Sequence, residues 1–450
     1  MTDLIEMLFG RAEPPSDPPL TPPSTLPSKN PTKELRYSDI FIAGGFPIHT
    51  YNPRLSFKLE ERISQVLHNL CQLVIVTGST KSGKTTLVEN ILPRTNAVWI
   101  EGGSVGNEDD LWRLVLDQLE LFDTITVDKS DESTSERSST LSAEVNALIG
   151  KGGTEIETLS GKSVGNTLSA SRNLSPKVAA ISGLTKRAVP IVIDDFHYLP
   201  KSLQESVIHA LKSLIYRGLP VVIIAIPHHR YDAIKVEREM TGRFLPVGIP
   251  PWSEDELMYI PNTGFTLLSS TLDLSLTKKL AAESIGSPHL MQNFCRNICT
   301  VKGLITKNDG RNLILTNDEL NEIFMDIADS IGRPIFDKLA RGPRQRSDRI
   351  PRKLKSGKYV DIYGVVLHAL AHIKPDITSL EYEQLRFAIR DILDDQLPTI
   401  QEVARVLKHM SEIAATDRSS TPVLEFDEEE KLLHITDPFF AFYLRWGRIN

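Results

Sequence analysis

The stretch Gln72-Leu73-Val74-Ile75-Val76-Thr77-Gly78-Ser79-Thr80-Lys81-Ser82-Gly83-Lys84-Thr85-Thr86 decides the fold. Leu73 to Thr77 is a short apolar run ending at a turn, the pattern of a strand buried on both faces of a parallel sheet. Gly78 to Thr85 then match the spacing GxxxxGK[ST], and Thr85 to Leu92 continues with helical periodicity. Strand, glycine-bracketed loop and helix in that order make a phosphate-binding loop. Gly78 and Gly83 let the backbone turn so that its N–H groups face phosphate oxygens at a helix N-terminus. Ser79, Thr80, Lys81, Ser82 and Thr86 complete the cradle. Lys84 is expected to bridge the β- and γ-phosphates, and the Thr85 hydroxyl to join the shell of a Mg2+ ion.

Around this loop, apolar runs at Ala97–Ile100, Ala188–Ile193 and Pro220–Ile226 predict further strands, with amphipathic helices over 109–121 and 201–216. The alternation predicts an α/β fold built on a mostly parallel sheet. Ile191-Val192-Ile193 runs into the paired carboxylates Asp194-Asp195. At the end of a buried strand downstream of a phosphate loop, Asp194 suits the metal, and Asp195 a general base that polarises the attacking water. In isolation the same pair reads as a solvated strand end. Residues 123–185 are rich in Ser, Thr, Gly and charge and too long for an ordinary connection, so they read as an insertion.

The chain has 450 residues, enough for two or three domains of about 150 each. Its net charge of −7 gives no general attraction to nucleic acid or anionic lipid, so such contacts need a local basic patch. Three cysteines exclude a disulfide framework and fit a reducing compartment. Cys295 and Cys299 lie one helical turn apart without a nearby His or Cys to complete a metal set, which favours a core or partner-facing role. The acidic start shows no targeting pattern, and no run reaches the ~18 apolar residues of a membrane span. A cytoplasmic protein is expected. Residues 13–32, dense in proline, read as a flexible tether following a short helix.

The expected domains are a helix and tether over 1–37, a core over 38–250 containing the insertion, a helical lid over 251–340, and 341–450. The last begins with Arg341, Arg344, Arg346, Arg349, Arg352, Lys353, Lys355 and Lys358, opposed only by Asp348. Helices over 361–373, 379–393 and 399–414 and a hairpin around Asp427-Glu428-Glu429-Glu430 then describe a winged helix. From 361 to 450 there are sixteen acidic residues against nine Lys and Arg, a poor match to DNA phosphates. The basic stretch 341–358 suits nucleic acid, an acidic protein surface including the domain's own wing, or a solvated linker.

With these motifs in place, residues 38–335 resemble the AAA+/STAND branch of P-loop ATPases, including relatives of origin-recognition ATPases, with a weaker likeness to the C-terminus. The resemblance implies ATP as the nucleotide, Mg2+, and a homo-oligomer. It implies a phosphate sensor near Arg230, an arginine finger at Arg243, and a GxP lid motif at Gly286-Ser287-Pro288 whose Pro288 packs beside the nucleotide. Asn is missing at the usual first-sensor position, and His289 stands where an Arg is common. Asp437-Pro438-Phe439-Phe440 through Trp446 is similar to the terminus of ATPases of this kind. The expected function is a slow nucleotide switch acting on a protein partner or effector, as in regulation or anti-phage defence. A DNA-loading or transposition-type ATPase is the competing expectation.

Overall fold

Five apolar strands form the centre of the molecule, and their order follows from how the chain must cross over. In the computed structural model, β1 (Leu73–Thr77), β2 (Val98–Glu101), β5 (Ile191–Asp194), β6 (Val221–Ala225) and β7 (Phe244–Gly248) pair in the order β2-β5-β6-β1-β7. Every pairing is parallel. The structure describes residues 34–68, 70–121, 124–130, 167–173, 175–226, 242–307, 310–344, 349–375, 379–415 and 422–449.

Alternate residues of each strand serve opposite faces. Leu73, Ile75, Ile191, Ile193, Val221 and Ile223 pack under helices Glu108–Gln118, Pro176–Arg187 and Lys201–Tyr216. Val74, Val76, Val192, Val222, Ile224 and Val247 pack under helices Leu59–Ser64 and Lys84–Ile91. Burial on both faces explains why β1, β2, β5 and β6 read as continuous apolar runs, whereas the edge strand β7 is only partly buried and was not expected from the sequence.

Within the expected insertion, β3 (Thr124–Ser130) and β4 (Thr167–Asn173) pair antiparallel. Helix Pro176–Arg187 follows within the same stretch, yet Ala180 and Leu184 are fully buried in the sheet's core. Ser175 caps the helix by accepting from Val178 N, with Pro176 at the first position, a start signal that the surrounding polar stretch obscured.

The lid consists of helices Glu254–Leu267, Leu274–Glu283, Pro288–Val301 and Asn317–Arg341, with a short parallel pair β8 (Ser270–Leu272) and β9 (Arg311–Leu313). Cys295 and Cys299 are fully buried in it. The winged helix follows: helices Ile362–Ile373, Tyr382–Ile392 and Ile400–Ala415, and a sheet in the order β12-β14-β13 (Ser379–Glu381, Leu432–Ile435, Leu424–Asp427). Before it, β10 (Arg352–Lys353) and β11 (Tyr359–Val360) form a small antiparallel pair.

Three cations of the basic stretch pair with carboxylates of their own domain. Arg349 bonds Asp361 at 2.6 Å, Arg352 meets Glu402 at 3.2 Å, and Lys353 meets Asp394 at 2.9 Å. At the wing tip, Glu428 is paired with Lys408 at 2.8 Å. Arg346 lies outside the described residues.

The terminal helix Pro438–Trp446 leaves the wing and docks on the lid. Phe442 and Trp446 join Phe294 and Phe324 in an aromatic cluster with ring centroids 4.9–5.8 Å apart. Trp446 Nε1 donates to Glu283 at 2.7 Å. Gly332 makes this approach possible, since a Cβ there would stand 2.2 Å from Tyr443 Cβ. Gly332→Ala is therefore expected to cost about 1–3 kcal/mol of stability by overpacking, read from urea denaturation; an unchanged midpoint would contradict this packing.

Candidate functional site

Both sequence motifs arrive at the C-terminal edge of the sheet, although β6 separates their strands. The phosphate loop leaves β1 at Gly78. It turns through two left-handed residues, Lys81 (φ 61°) and Gly83 (φ 88°), into helix Lys84–Ile91. Lys84, 8% exposed, donates from Nζ to Gly78 O at 3.1 Å and Ser79 O at 2.9 Å, which holds its ammonium inside the loop. Burial lowers its pKa, and the charges of Asp195 and Asp194 act in the opposite direction.

Thr85 Oγ1 donates to Asp194 Oδ2 at 2.7 Å. Asp194 Oδ1 accepts from Asp195 N at 2.8 Å. A hydroxyl and a carboxylate in contact beside the loop are hard oxygen donors of the kind that suit Mg2+. Thr85 and Asp194 are thus the residues that would hold it, and the ion would supply positive charge to the phosphate oxygens. Asp195 sits in the left-handed region (φ 50°) and lines the same cavity. Its pKa is raised by burial, against the lowering effect of Lys84.

Two features here escaped the sequence reading. Glu101, at the end of β2, lines the cavity and raises the pKa of both aspartates. Its own oxygen pairs with Arg94 at 2.9 Å. The following residue must be glycine: a Cβ on Gly102 would stand 2.3 Å from Asp195 O.

The cavity, about 680 Å3, is roofed from three sides besides the loop. The N-terminal segment supplies Phe46 and Tyr51, the lid supplies Trp252, Pro288 and His289, and the C-terminal segment supplies Val423 and Asp437. Pro288 is the first residue of its helix, capped by Ser287, and so is a start signal and a wall residue together. Tyr51 Oη donates to Glu60 at 2.7 Å. Burial, with the charge of Lys81, pushes the His289 pKa down to about 4, so the ring is neutral near pH 7.

The other candidate residues lie elsewhere. Arg243 immediately precedes β7, and its carbonyl bonds Leu73 N at the opposite end of β1 from the loop, about 15 Å away at the strand rise. Its guanidinium lies 5.4 Å from the Tyr216 ring centroid. Arg230 is outside the described residues.

The strand order, the loop after β1 and the carboxylates at the end of β5 define an α/β P-loop fold, here followed by a helical lid and a winged helix. Among solved structures, the chain is similar to a Walker-type ATPase of Pyrococcus abyssi (TM-score 0.48, 12% identity, 86% of this chain and 94% of that one). It is also similar to the Aeropyrum pernix ORC2 protein (0.45, 12%, 90% and 95%). A third is a STAND protein with a tetratricopeptide repeat sensor from Pyrococcus horikoshii (0.33, 16%, 85% and 41%). These likenesses are distant, and the fold assignment stands on the chain's own strand order and loop. No protein-family model matches the chain, and no curated protein matches it in sequence.

Burial, with the nearby carboxylates Asp195 and Glu101, raises the Asp194 pKa from 3.8 to about 6. Between those values the folded state binds the extra proton, and above them the ionised group lowers stability. Without metal, Asp194→Asn should therefore stabilise the protein above pH 6 by on the order of 1–3 kcal/mol, with the gain fading as the pH falls towards 4. Urea denaturation at several pH values checks this, and a pH-independent difference would refute it.

Proposed function

We propose that this protein is an ATP-binding, slowly hydrolysing switch that passes the state of its nucleotide site to its C-terminal domain, and through it to a second copy or a protein partner. One observation carries the reading. Asp437 lines the cavity of the phosphate loop, and Phe439, two residues on, packs against Lys81 of the loop itself. Lys81 Nζ lies 5.5 Å from the Phe439 ring centroid, and His289 of the lid packs edge-on against the same ring at 4.8 Å. Asp437 is 8% exposed and accepts from the backbone N–H groups of Phe439 and Phe440. Loop, lid and C-terminal segment thus meet at one ring.

A terminal phosphate brings negative charge to the loop, where Lys81 faces Phe439 and Asp437. That charge competes for Lys81 and is repelled by Asp437 when ionised, so a triphosphate and a diphosphate load this contact differently. In turnover, Lys84 neutralises the phosphate oxygens and Asp195 takes the proton of the attacking water. The short side chain of Asp195 favours a slow reaction, which suits a switch. Arg243 stands too far from its own loop to serve it, and a role as arginine finger places it at a neighbour's site. The competing reading, assembly on duplex DNA, needs phosphate-facing cations, whereas Arg349, Arg352, Lys353 and Lys408 are engaged by carboxylates of the domain itself.

Lys84→Ala should abolish ATP binding measured by calorimetry. In the unaltered protein, hydrogen exchange of the terminal helix 438–446 should differ between the ATP and ADP states. Identical exchange and identical mass in both states would refute the switch, and DNA binding with a steep salt slope would favour the competitor. Arg243→Ala mixed with Asp195→Asn should regain turnover through hybrid sites; no recovery would remove the finger.

A further inference from the structure

The carbonyl of Ser82, inside the phosphate loop, accepts a hydrogen bond of 2.9 Å from Trp252 Nε1, a residue of the hinge between core and lid. The peptide bond is planar and trans, so the C=O of Ser82 and the N–H of Gly83 point in opposite directions from one rigid plane. A donor fixed on the carbonyl therefore fixes the direction of the N–H. That N–H belongs to the second glycine of the loop, which caps the helix beginning at Lys84.

Trp252 is itself held by Arg54. The Arg54 guanidinium lies 4.7 Å from the Trp252 ring centroid and 4.8 Å from that of Phe57. It donates to Pro250 O at 2.9 Å, to Pro251 O at 3.0 Å, and to both carboxylate oxygens of Glu256 at 2.8 Å. Arg54 is 5% exposed, and such a buried guanidinium with four hydrogen bonds leaves the hinge little freedom. One residue beyond the indole, Ser253 and Glu256 cap the first lid helix reciprocally. Packing at the hinge would require only an aromatic ring; the N–H aimed at a loop carbonyl is the part that packing does not explain.

We propose that Trp252 is a positioning residue for phosphate binding. Its indole N–H orients the Ser82–Gly83 peptide so that the Gly83 N–H faces the bound phosphates, and the same bond ties the lid hinge to the loop. The inference rests on the nucleotide-binding reading above and names a residue through which that site is set.

Trp252→Phe keeps an aromatic ring under Arg54 while removing the donor. It should weaken ADP and ATP binding about three- to tenfold, the value of one hydrogen bond, while the melting temperature of the nucleotide-free protein stays within a few degrees. Independently, the indole N–H resonance missing from that variant should shift when ADP is titrated into 15N-labelled unaltered protein. If Trp252→Phe fails to fold, Trp99→Phe, Trp112→Phe and Trp446→Phe identify the resonance by elimination. ADP binding with a stationary Trp252 resonance, or with undiminished affinity in Trp252→Phe, overturns the inference and leaves the nucleotide site standing. An unaltered protein that binds no nucleotide overturns both.

Discussion

The bond from the Thr85 hydroxyl to the Asp194 carboxylate joins two strand ends that are not neighbours in the sheet. β6 lies between them, and its last residue, Ala225, and the following Ile226 are buried. The rest of the site follows from that meeting. Lys84 is drawn into the loop close to two carboxylates, and Asp194 is left desolvated with a pKa near neutrality. Glu101 closes the same edge from the next strand, at a distance that only a glycine at position 102 allows.

Four of the five core strands were legible because they are buried on both faces, and the loop because it is defined by spacing; the part-exposed edge strand β7, which holds Pro246 and Gly248, was missed. Five-residue apolar runs and a GxxxxGK[ST] pattern are local signals, and both sit where they were expected. Lid and winged helix were also legible, since their helices carry apolar periodicity and caps such as Ser253-Glu256 and Thr316-Glu319. The insertion was read too broadly. Helix Pro176–Arg187 packs through Ala, Gly and Leu, whose small side chains give weak periodicity next to a polar stretch.

What remained hidden was mostly long-range. Arg54 and Glu256 lie about two hundred residues apart in sequence, and neither is unusual in its own neighbourhood. Trp252 follows two prolines and looks like a loop residue until Ser82 is placed beside it. The basic stretch showed its charge but not its partners, which are carboxylates of the winged helix brought near only by folding. Asp437 and Phe439 were noticed as a terminal pattern, and their place against Lys81 depends on the terminal helix returning to the lid.

That return has a mechanical side. Helix Asn317–Arg341 has 25 residues, so its axis is about 37 Å long at 1.5 Å per residue. It carries the terminal helix along its flank, and the winged helix follows it in the chain. Pivoted at its lid end, a tilt of 10° would sweep its far end through roughly 6 Å, about one helical turn. On the proposed switch, a small displacement at the phosphates that tilted this helix, the longest among the described residues, would be geared up into a distance that another protein surface can register.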